Sequence, residues 1–190
     1  MITKDLLTSA GVRSDKAAIY APLLADYASK YSLTSKQATA AFLAQILHES
    51  GLLVYVKEIW GDTKWQERYE RDFSQPFHNK LTPKDRNYTA YNLGNDAKGD
   101  GKRYCGRGLV QLTGKNNYLR CSLVVFRNEG LLAQPELLEQ PPFAVASAFW
   151  FCFDYCKLMD EFESVGIDDE TKRINGSARS EEHTSELQSH

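Results

Sequence analysis

The sequence lacks several features that would place it in a membrane, fibrous or secreted class. Its longest apolar run, from Phe143 to Phe153, is about half the length of a membrane span. The 190 residues include only 12 Gly and 6 Pro and show no internal repeat, which excludes collagen-like and repeat architectures. The first residues, Met1 to Gly11, contain no continuous apolar stretch of the kind that a secretory signal needs. We therefore expect one soluble domain, without stable membrane insertion, that begins in the cytoplasm.

The chain also lacks an excess of charge of either sign. Lys and Arg number 23 and Asp and Glu number 25, so the net charge of -2 does not indicate a nucleic-acid partner. Hydrophobic residues make up 42% of the chain and aromatic residues 12%, which is enough to bury a core.

Cysteines are few, and their spacing does not define a metal site. Cys152 and Cys156 would share one face of a helix, but no second close-spaced pair accompanies them. With Cys105 and Cys121, the four cysteines allow three different pairings into two disulfides, yet a cytoplasmic start argues that all four remain reduced. We predict buried thiols and no metal.

Capping signals and apolar runs predict a mainly helical fold. Thr3 can cap a short first helix, and Thr34, with Gln37 three residues on, forms a capping box for a helix over residues 35–50. The run Phe143–Phe153 follows two prolines and is apolar on every side, as expected of a helix at the centre of the fold.

The segments between these helices are expected to form a small β element and a cleft wall. Gly51 ends the second of the helices above, and Leu52–Val56 is rich in bulky and β-branched residues, which favours an extended segment. The polar stretch Gly61–Arg103, with its Pro and Gly residues, indicates a long irregular region with a short helix near Trp65–Arg71. We predict a mainly α domain with α+β character, two lobes and a central cleft.

The last twelve residues differ in character from the rest. Residues 179–190 resemble the translation of a common sequencing adapter, which indicates a non-native segment; the alternative is a disordered polar terminus. We therefore predict that the domain covers residues 1–178.

Glu49 lies near the end of a strongly apolar predicted helix. A carboxyl that emerges from such a helix into a cleft has its charged form disfavoured, which suits a general acid. His48 and Glu49 also begin the zinc-protease pattern His-Glu-x-x-His, but position 52 is Leu, so the second zinc ligand is missing. The alternative for Glu49 is a solvated residue at a helix end.

Glu58 follows nine residues after Glu49. On one continuous helix the two carboxyls would lie on opposite faces, about 13 Å apart in rise. A bend at Gly51 lets them face each other across a groove instead, and a separation of roughly 6.5 to 9.5 Å is what an inverting glycosidase needs for a water between base and sugar. The alternative is an exposed loop glutamate near Trp60.

The segment from Tyr104 to Tyr118 combines a tight turn with polar side chains. Gly106 and Gly108 permit close backbone approach. Donors, acceptors and a stacking ring that suit an N-acetylated sugar are Arg107, Gln111, Thr113, Asn117 and Tyr118. The spacing does not match a phosphate-binding loop. A turn followed by a helix cap is the alternative.

Together these segments resemble glycoside hydrolase family 19, the chitinase-like branch of the lysozyme superfamily, and within it the compact phage and prophage endolysins. The matching segments are Ala41–Gly51, Glu58, Tyr91–Asn95, Gly99–Gly101, Gly106–Gly114, Pro135–Leu138, Ala146–Trp150 and Thr171–Gly176. The resemblance implies a lysozyme-like fold truncated at its C-terminus. One departure is Leu52, where the family usually has a second glycine after Gly51.

The resemblance also implies roles for individual residues. Glu49 matches the general acid and Glu58 the general base, while Thr113 matches a residue that helps to hold the water or the base. Substrate-contacting positions are matched by Gln111, Asn117 and Asn175. No metal or organic cofactor is implied.

The implied reaction is hydrolysis of β-1,4 bonds between N-acetylated amino sugars with inversion. We expect a monomeric, bacteriolytic endolysin that acts on peptidoglycan and stays cytoplasmic until it is released to the cell wall. The alternatives are a chitinase and, from another class, an inactive sugar-binding module.

Overall fold

Helices form most of the protein in the computed structural model, which describes residues 1–61, 63–159 and 162. The α-helices in these residues are α1 (Lys4–Ser9), α2 (Ser14–Lys30), α3 (Lys36–Glu49), α4 (Lys64–Glu67), α5 (Tyr88–Leu93), α6 (Asp100–Arg103), α7 (Lys115–Val125), α8 (Gly130–Ala133) and α9 (Pro141–Phe149). A 3₁₀-helix, Pro135–Glu139, precedes α9, and a π-helical segment, Trp150–Tyr155, continues it. The mainly helical prediction is confirmed.

The core is built around α9 and the π-helical segment. Phe149 and Phe151 are fully buried, and α9 packs against α2. The ring of Phe42, from α3, lies 4.5 Å from the ring of Phe149. The prediction of a buried central helix is therefore confirmed. None of the helices in the described ranges has both the length and the apolar character needed to cross a bilayer.

Three of the four cysteines belong to this interior. Cys105, Cys121 and Cys152 are buried, and burial raises the pKa of each of these thiols. Cys156 is half-buried. All four lie in the described part of the chain, and no disulfide joins them.

The two predicted helix starts have different outcomes. Thr3 caps α1 as predicted, because its hydroxyl accepts the Leu6 N–H at 3.1 Å. For α3 the predicted capping box is wrong: Ser35, not Thr34, is the last extended residue before the helix, and its hydroxyl accepts the Ala38 N–H at 3.3 Å.

The chain after α3 makes a left-handed turn rather than the predicted extended segment. Leu52 and Leu53 have φ values of 61° and 66°, and the Leu53 N–H donates to the Ser50 hydroxyl at 2.9 Å. Leu53 is fully buried by this turn, whereas Leu52 stays 39% exposed. Burial of Leu53 therefore outweighs the preference of bulky residues for extended backbone.

Leu52 makes a stability prediction possible. A leucine in the left-handed region is strained by about 1 to 2 kcal/mol relative to glycine, and a glycine at this position removes the strain. Glycine also makes the unfolded chain more flexible, which cancels only part of the stability gained. We expect Leu52→Gly to raise the free energy of unfolding by up to about 1 kcal/mol, measured by urea denaturation. Leu123→Gly, within α7, is the control and should be destabilising. A loss of stability in Leu52→Gly would contradict the prediction.

The region predicted to be irregular, Gly61–Arg103, is more ordered than expected. It contains α4, α5 and α6, and buried asparagines hold the loops between them. Asn87 donates to the Asp72 carbonyl at 2.8 Å and accepts the Asp72 N–H at 2.7 Å. Asn95 donates to the Tyr69 carbonyl at 3.0 Å. Side-chain hydrogen bonds thus replace sheet or long-helix contacts here.

Candidate active site

Glu49 is the last residue of α3, where this helix leaves the core. Its carboxylate is half-buried and accepts a hydrogen bond at 3.2 Å from the side-chain amide of buried Gln45, one turn earlier. Burial raises the pKa of the Cys152 thiol, and the neighbouring Cys156 and Glu49 charges add to that rise. The candidate general acid therefore lies beside the π-helical segment, at the edge of the core.

A small β element positions Glu58. Isolated antiparallel bridges join Lys57 to Arg107 and Arg107 to Leu112. Beside the first bridge, the Glu58 N–H donates to the Gly106 carbonyl at 2.8 Å. The predicted β element is present, but it begins later in the chain than Leu52–Val56.

The Glu58 carboxylate is held by two N–H donors. Its Oε2 accepts the Gly106 N–H at 3.0 Å, and its Oε1 accepts the side-chain amide of Gln66 at 3.0 Å. The side chain is half-buried, so the carboxylate is oriented by protein atoms while part of it stays accessible. A fixed, accessible carboxylate is what a general base requires.

Gly106 also packs against two of the other predicted site residues. A Cβ at Gly106 would lie 2.9 Å from Gln111 Oε1 and 3.3 Å from Thr113 Oγ1, so both side chains approach the glycine backbone. Gln111 has φ of 49° and its amide donates to the Gly108 carbonyl at 3.1 Å. The fold therefore groups Glu58, Gln111 and Thr113 around one glycine.

Thr113 and Asn117 are linked by hydrogen bonds to this group. The Thr113 hydroxyl donates to the Gln111 carbonyl at 2.8 Å, and the Asn117 side chain donates to the Thr113 carbonyl at 2.8 Å. Asn175 lies outside the described residues. That Glu49 faces Glu58 across a cleft stays a prediction.

Arg107 and Tyr118 do not fit the role suggested by the sequence. Both were expected among the sugar contacts, but both are buried, and the Arg107 guanidinium donates to Tyr118 Oη at 3.0 Å. Arg107 also donates to the Arg103 carbonyl and to Glu139, each at 2.8 Å. Their polar atoms are used inside the protein, which argues against sugar contacts for these two residues. Gln111 and Thr113 are also buried, at 7% and 4% exposed, and their contact with sugar or water stays a prediction.

Glu139 completes an ion-pair network beneath the β element. It pairs with Arg107 at 2.8 Å and with Lys57 at 3.2 Å. Partial burial acts to raise the pKa of Glu139, but hydrogen bonds from Arg107 and Lys57 outweigh it and hold the pKa below its ordinary value. The network thus holds Lys57 and Arg107, the two residues of the first bridge, next to Glu58. Sequence reasoning missed Glu139, which carries no local signal.

Sequence reasoning also missed Gln66, for which a signal exists. Thr63 and Gln66 form a capping box at the start of α4, a pattern readable from Thr-x-x-Gln. The pattern does not reveal that the Gln66 side chain also contacts Glu58, because that contact depends on the path of the loop between them.

A cavity of about 410 Å³ lies against α4 and α6, and none of Glu49, Glu58, Gln111 and Thr113 is among its lining residues. Its lining residues are Trp60, Glu67, Glu70, Gly99, Lys102 and Arg103. Glu70 is held by the N–H groups of Gly99 and Lys102, at 3.0 and 2.9 Å. The lining thus combines an aromatic ring with charges of both signs. Within the described ranges, no group of three His, Cys, Asp or Glu residues could hold a metal ion.

Comparison with known proteins identifies the family of this mainly helical chain. A glycosyl hydrolase family 19 domain-containing protein of Haemophilus influenzae is 31% identical over 159 residues, covering 77% of this chain and 74% of that protein. The chain therefore belongs to glycoside hydrolase family 19. Comparison with family models gave no match.

Plant enzymes are further relatives, and one solved structure has a similar fold. Endochitinase CHI of Arabidopsis thaliana is 32% identical over 126 residues, or 66% of this chain, and endochitinase 2 of Gossypium hirsutum is 34% identical over 119 residues, or 62%. The match spans only 38% and 35% of these longer proteins. Chitinase C from Streptomyces griseus aligns over 84% of this chain and 71% of its own, with a TM-score of 0.54 and 21% identity, which supports the fold.

Proposed function

We propose that this protein hydrolyses β-1,4 bonds between N-acetylated amino sugars, with Glu49 as general acid and Glu58 as general base. The observation that carries the proposal is the Glu58 carboxylate, held by Gly106 and Gln66 in the same loop system as Gln111 and Thr113. Family membership supplies the reaction class.

The proposed reaction needs one proton donor and one proton acceptor. Glu49 gives its proton to the glycosidic oxygen as the bond to the anomeric carbon breaks. Glu58 takes a proton from a water that attacks the same carbon from the opposite face, so the configuration inverts. The hydroxyl of Thr113 and the amides of Gln111 and Asn117 are the groups proposed to contact the water and the sugar.

We further propose peptidoglycan as the substrate. Its glycan carries peptides with free carboxylates and amines, whereas chitin is uncharged. The cavity against α4, the helix that carries Gln66, presents positive charge from Lys102 and Arg103, negative charge from Glu67 and Glu70 and an apolar wall from Trp60, which suits such a peptide. In this role the enzyme acts as a monomeric endolysin that is released from the cytoplasm to the wall.

Chitin is the second candidate substrate. The endochitinases of Arabidopsis thaliana and Gossypium hirsutum favour it, because their names give that activity. A chitin chain would use the loop around Gly106 in the same way, and it would leave the charges of the cavity without a partner.

A panel of three substrates tests the proposal. We expect fastest release of reducing ends from intact peptidoglycan, slower release from the same glycan after enzymatic removal of its peptides, and slowest release from chitin hexasaccharide. NMR of the first product should show the inverted α-anomer. Turnover of chitin alone would select the second candidate. Binding without turnover of any substrate would contradict a hydrolase and favour the sugar-binding module.

A further inference from the structure

Gln66 is the buried amide that contacts the proposed base. It is only 4% exposed, although it belongs to the short helix α4. Its Oε1 accepts the N–H groups of Gly61 and Thr63, at 2.8 and 3.3 Å. Its Nε2 donates to the Ile59 carbonyl at 2.8 Å and to Glu58 Oε1 at 3.0 Å. The amide thus uses two acceptor and two donor positions.

These contacts leave the amide one orientation. Because Oε1 faces two backbone N–H groups, the NH2 group has to face Ile59 and Glu58. The reverse orientation would place donors against donors and an oxygen against the Glu58 carboxylate. The loop between base and α4 therefore sets the direction of the hydrogen bond to Glu58.

We infer that Gln66 is a positioning residue for Glu58, which fixes the carboxylate so that a free lone pair is aimed at the attacking water. The inference rests on the proposed function, in which Glu58 is the general base. The Gly106 N–H on Oε2 fixes one oxygen, and the second donor on Oε1 prevents the carboxylate from rotating about its last bond.

The neutral character of this donor matters for the chemistry. Among the described residues, no Lys, Arg or His forms an ion pair with Glu58. A cation at the Gln66 position would stabilise the carboxylate strongly and make it a weaker base. An amide orients the group at a smaller cost in basicity.

A purely structural role for Gln66 is the competing explanation, and Thr63 offers a matched control. The Thr63 hydroxyl accepts the Gln66 N–H at 3.3 Å as part of the same capping box. Thr63→Ala therefore weakens the start of α4 while the side-chain amide of Gln66 keeps its contact with Glu58.

The test compares Gln66→Met, Gln66→Glu and Thr63→Ala by the pH dependence of kcat/KM on the substrate that the wild type turns over. We expect Gln66→Met to lower kcat about 10-fold or more at the optimum, with little change in KM. The acidic limb of the pH profile reports ionisation of the base. This limb should move to higher pH in Gln66→Met. In Gln66→Glu, where two carboxylates share the site, it should move to higher pH by about one unit or more. Thr63→Ala should leave this limb in place.

Thermal unfolding of each variant separates the two explanations. If Gln66→Glu, which keeps the shape and the acceptor for Gly61, shows the wild-type acidic limb, the inference is overturned whatever Gln66→Met does. The same holds if activity in all three variants simply follows their stability. Glu58→Gln is measured in parallel. Full activity of this variant would refute the assignment of Glu58 as base. This control therefore distinguishes failure of the proposed function from failure of the inference about Gln66.

Discussion

Glu58→Gln is expected to lower kcat by about 10²- to 10⁴-fold, because an amide cannot take a proton from the attacking water. The variant keeps the shape of the side chain and its hydrogen bond from Gly106, so KM should change little. Its NH2 group then faces the NH2 group of Gln66, so the hydrogen bond from Gln66 is lost and the midpoint of thermal unfolding should fall modestly. Steady-state kinetics on the preferred substrate, with circular dichroism as the folding check, measure both effects.

Glu49→Gln should show a different pattern, which assigns the two roles. Loss of the general acid slows hydrolysis of natural glycosidic bonds, whereas an aryl glycoside with an acidic phenol leaves without protonation and should still be cleaved. Glu58→Gln should be slow on both substrates. Glu136→Gln, an exposed glutamate in the 3₁₀-helix, is the matched control and should retain wild-type rates. Equal rates for wild type and Glu58→Gln would show that another group acts as base.

Arg107→Met is expected to be strongly destabilising. It removes a buried guanidinium that bonds to Glu139, Tyr118 and the Arg103 carbonyl, and it leaves Glu139 with Lys57 as its remaining ion-pair partner. Loss of a buried charge with several hydrogen bonds costs about 3 kcal/mol. Urea denaturation measures the loss. Activity should fall as well, because the β element that holds Glu58 is centred on Arg107.

Arg13→Met is the control for this prediction. Arg13 pairs with Asp15 at 3.0 Å, but both side chains are largely exposed to water, so its loss should leave the free energy of unfolding nearly unchanged. A similar effect of both substitutions would contradict the importance given to Arg107.

The pH dependence of stability gives a second check on Glu139. Its pKa is lower in the folded than in the unfolded protein, because Arg107 and Lys57 outweigh the effect of burial. The stabilisation is therefore complete above the ordinary glutamate pKa and is lost as the pH falls through the lower folded value. Arg107→Met, which lacks the Arg107 contribution and keeps that of Lys57, should lose less further stability on acidification than the wild type does.

Local patterns in the sequence determined the helical class, the central buried helix and the candidate glutamates. The hydroxyl of Thr3 bonds within one turn, and the apolar run Phe143–Phe153 has no polar face to expose, so neither depends on distant parts of the chain. The motif around Gly106 likewise indicated a turn with polar side chains. The spacing alone, however, also fitted an exposed surface residue at each of the two glutamate positions.

Only the tertiary structure decided which polar groups point inward and which backbone is strained. Leu52 and Leu53 adopt left-handed conformations because burial of Leu53 repays the strain, and this depends on the core below the turn. Arg107 turns away from the solvent because Glu139, distant in sequence, meets it there. Gln66 reaches Glu58 for a similar reason: its partners are set by the path of a loop, which no periodicity encodes.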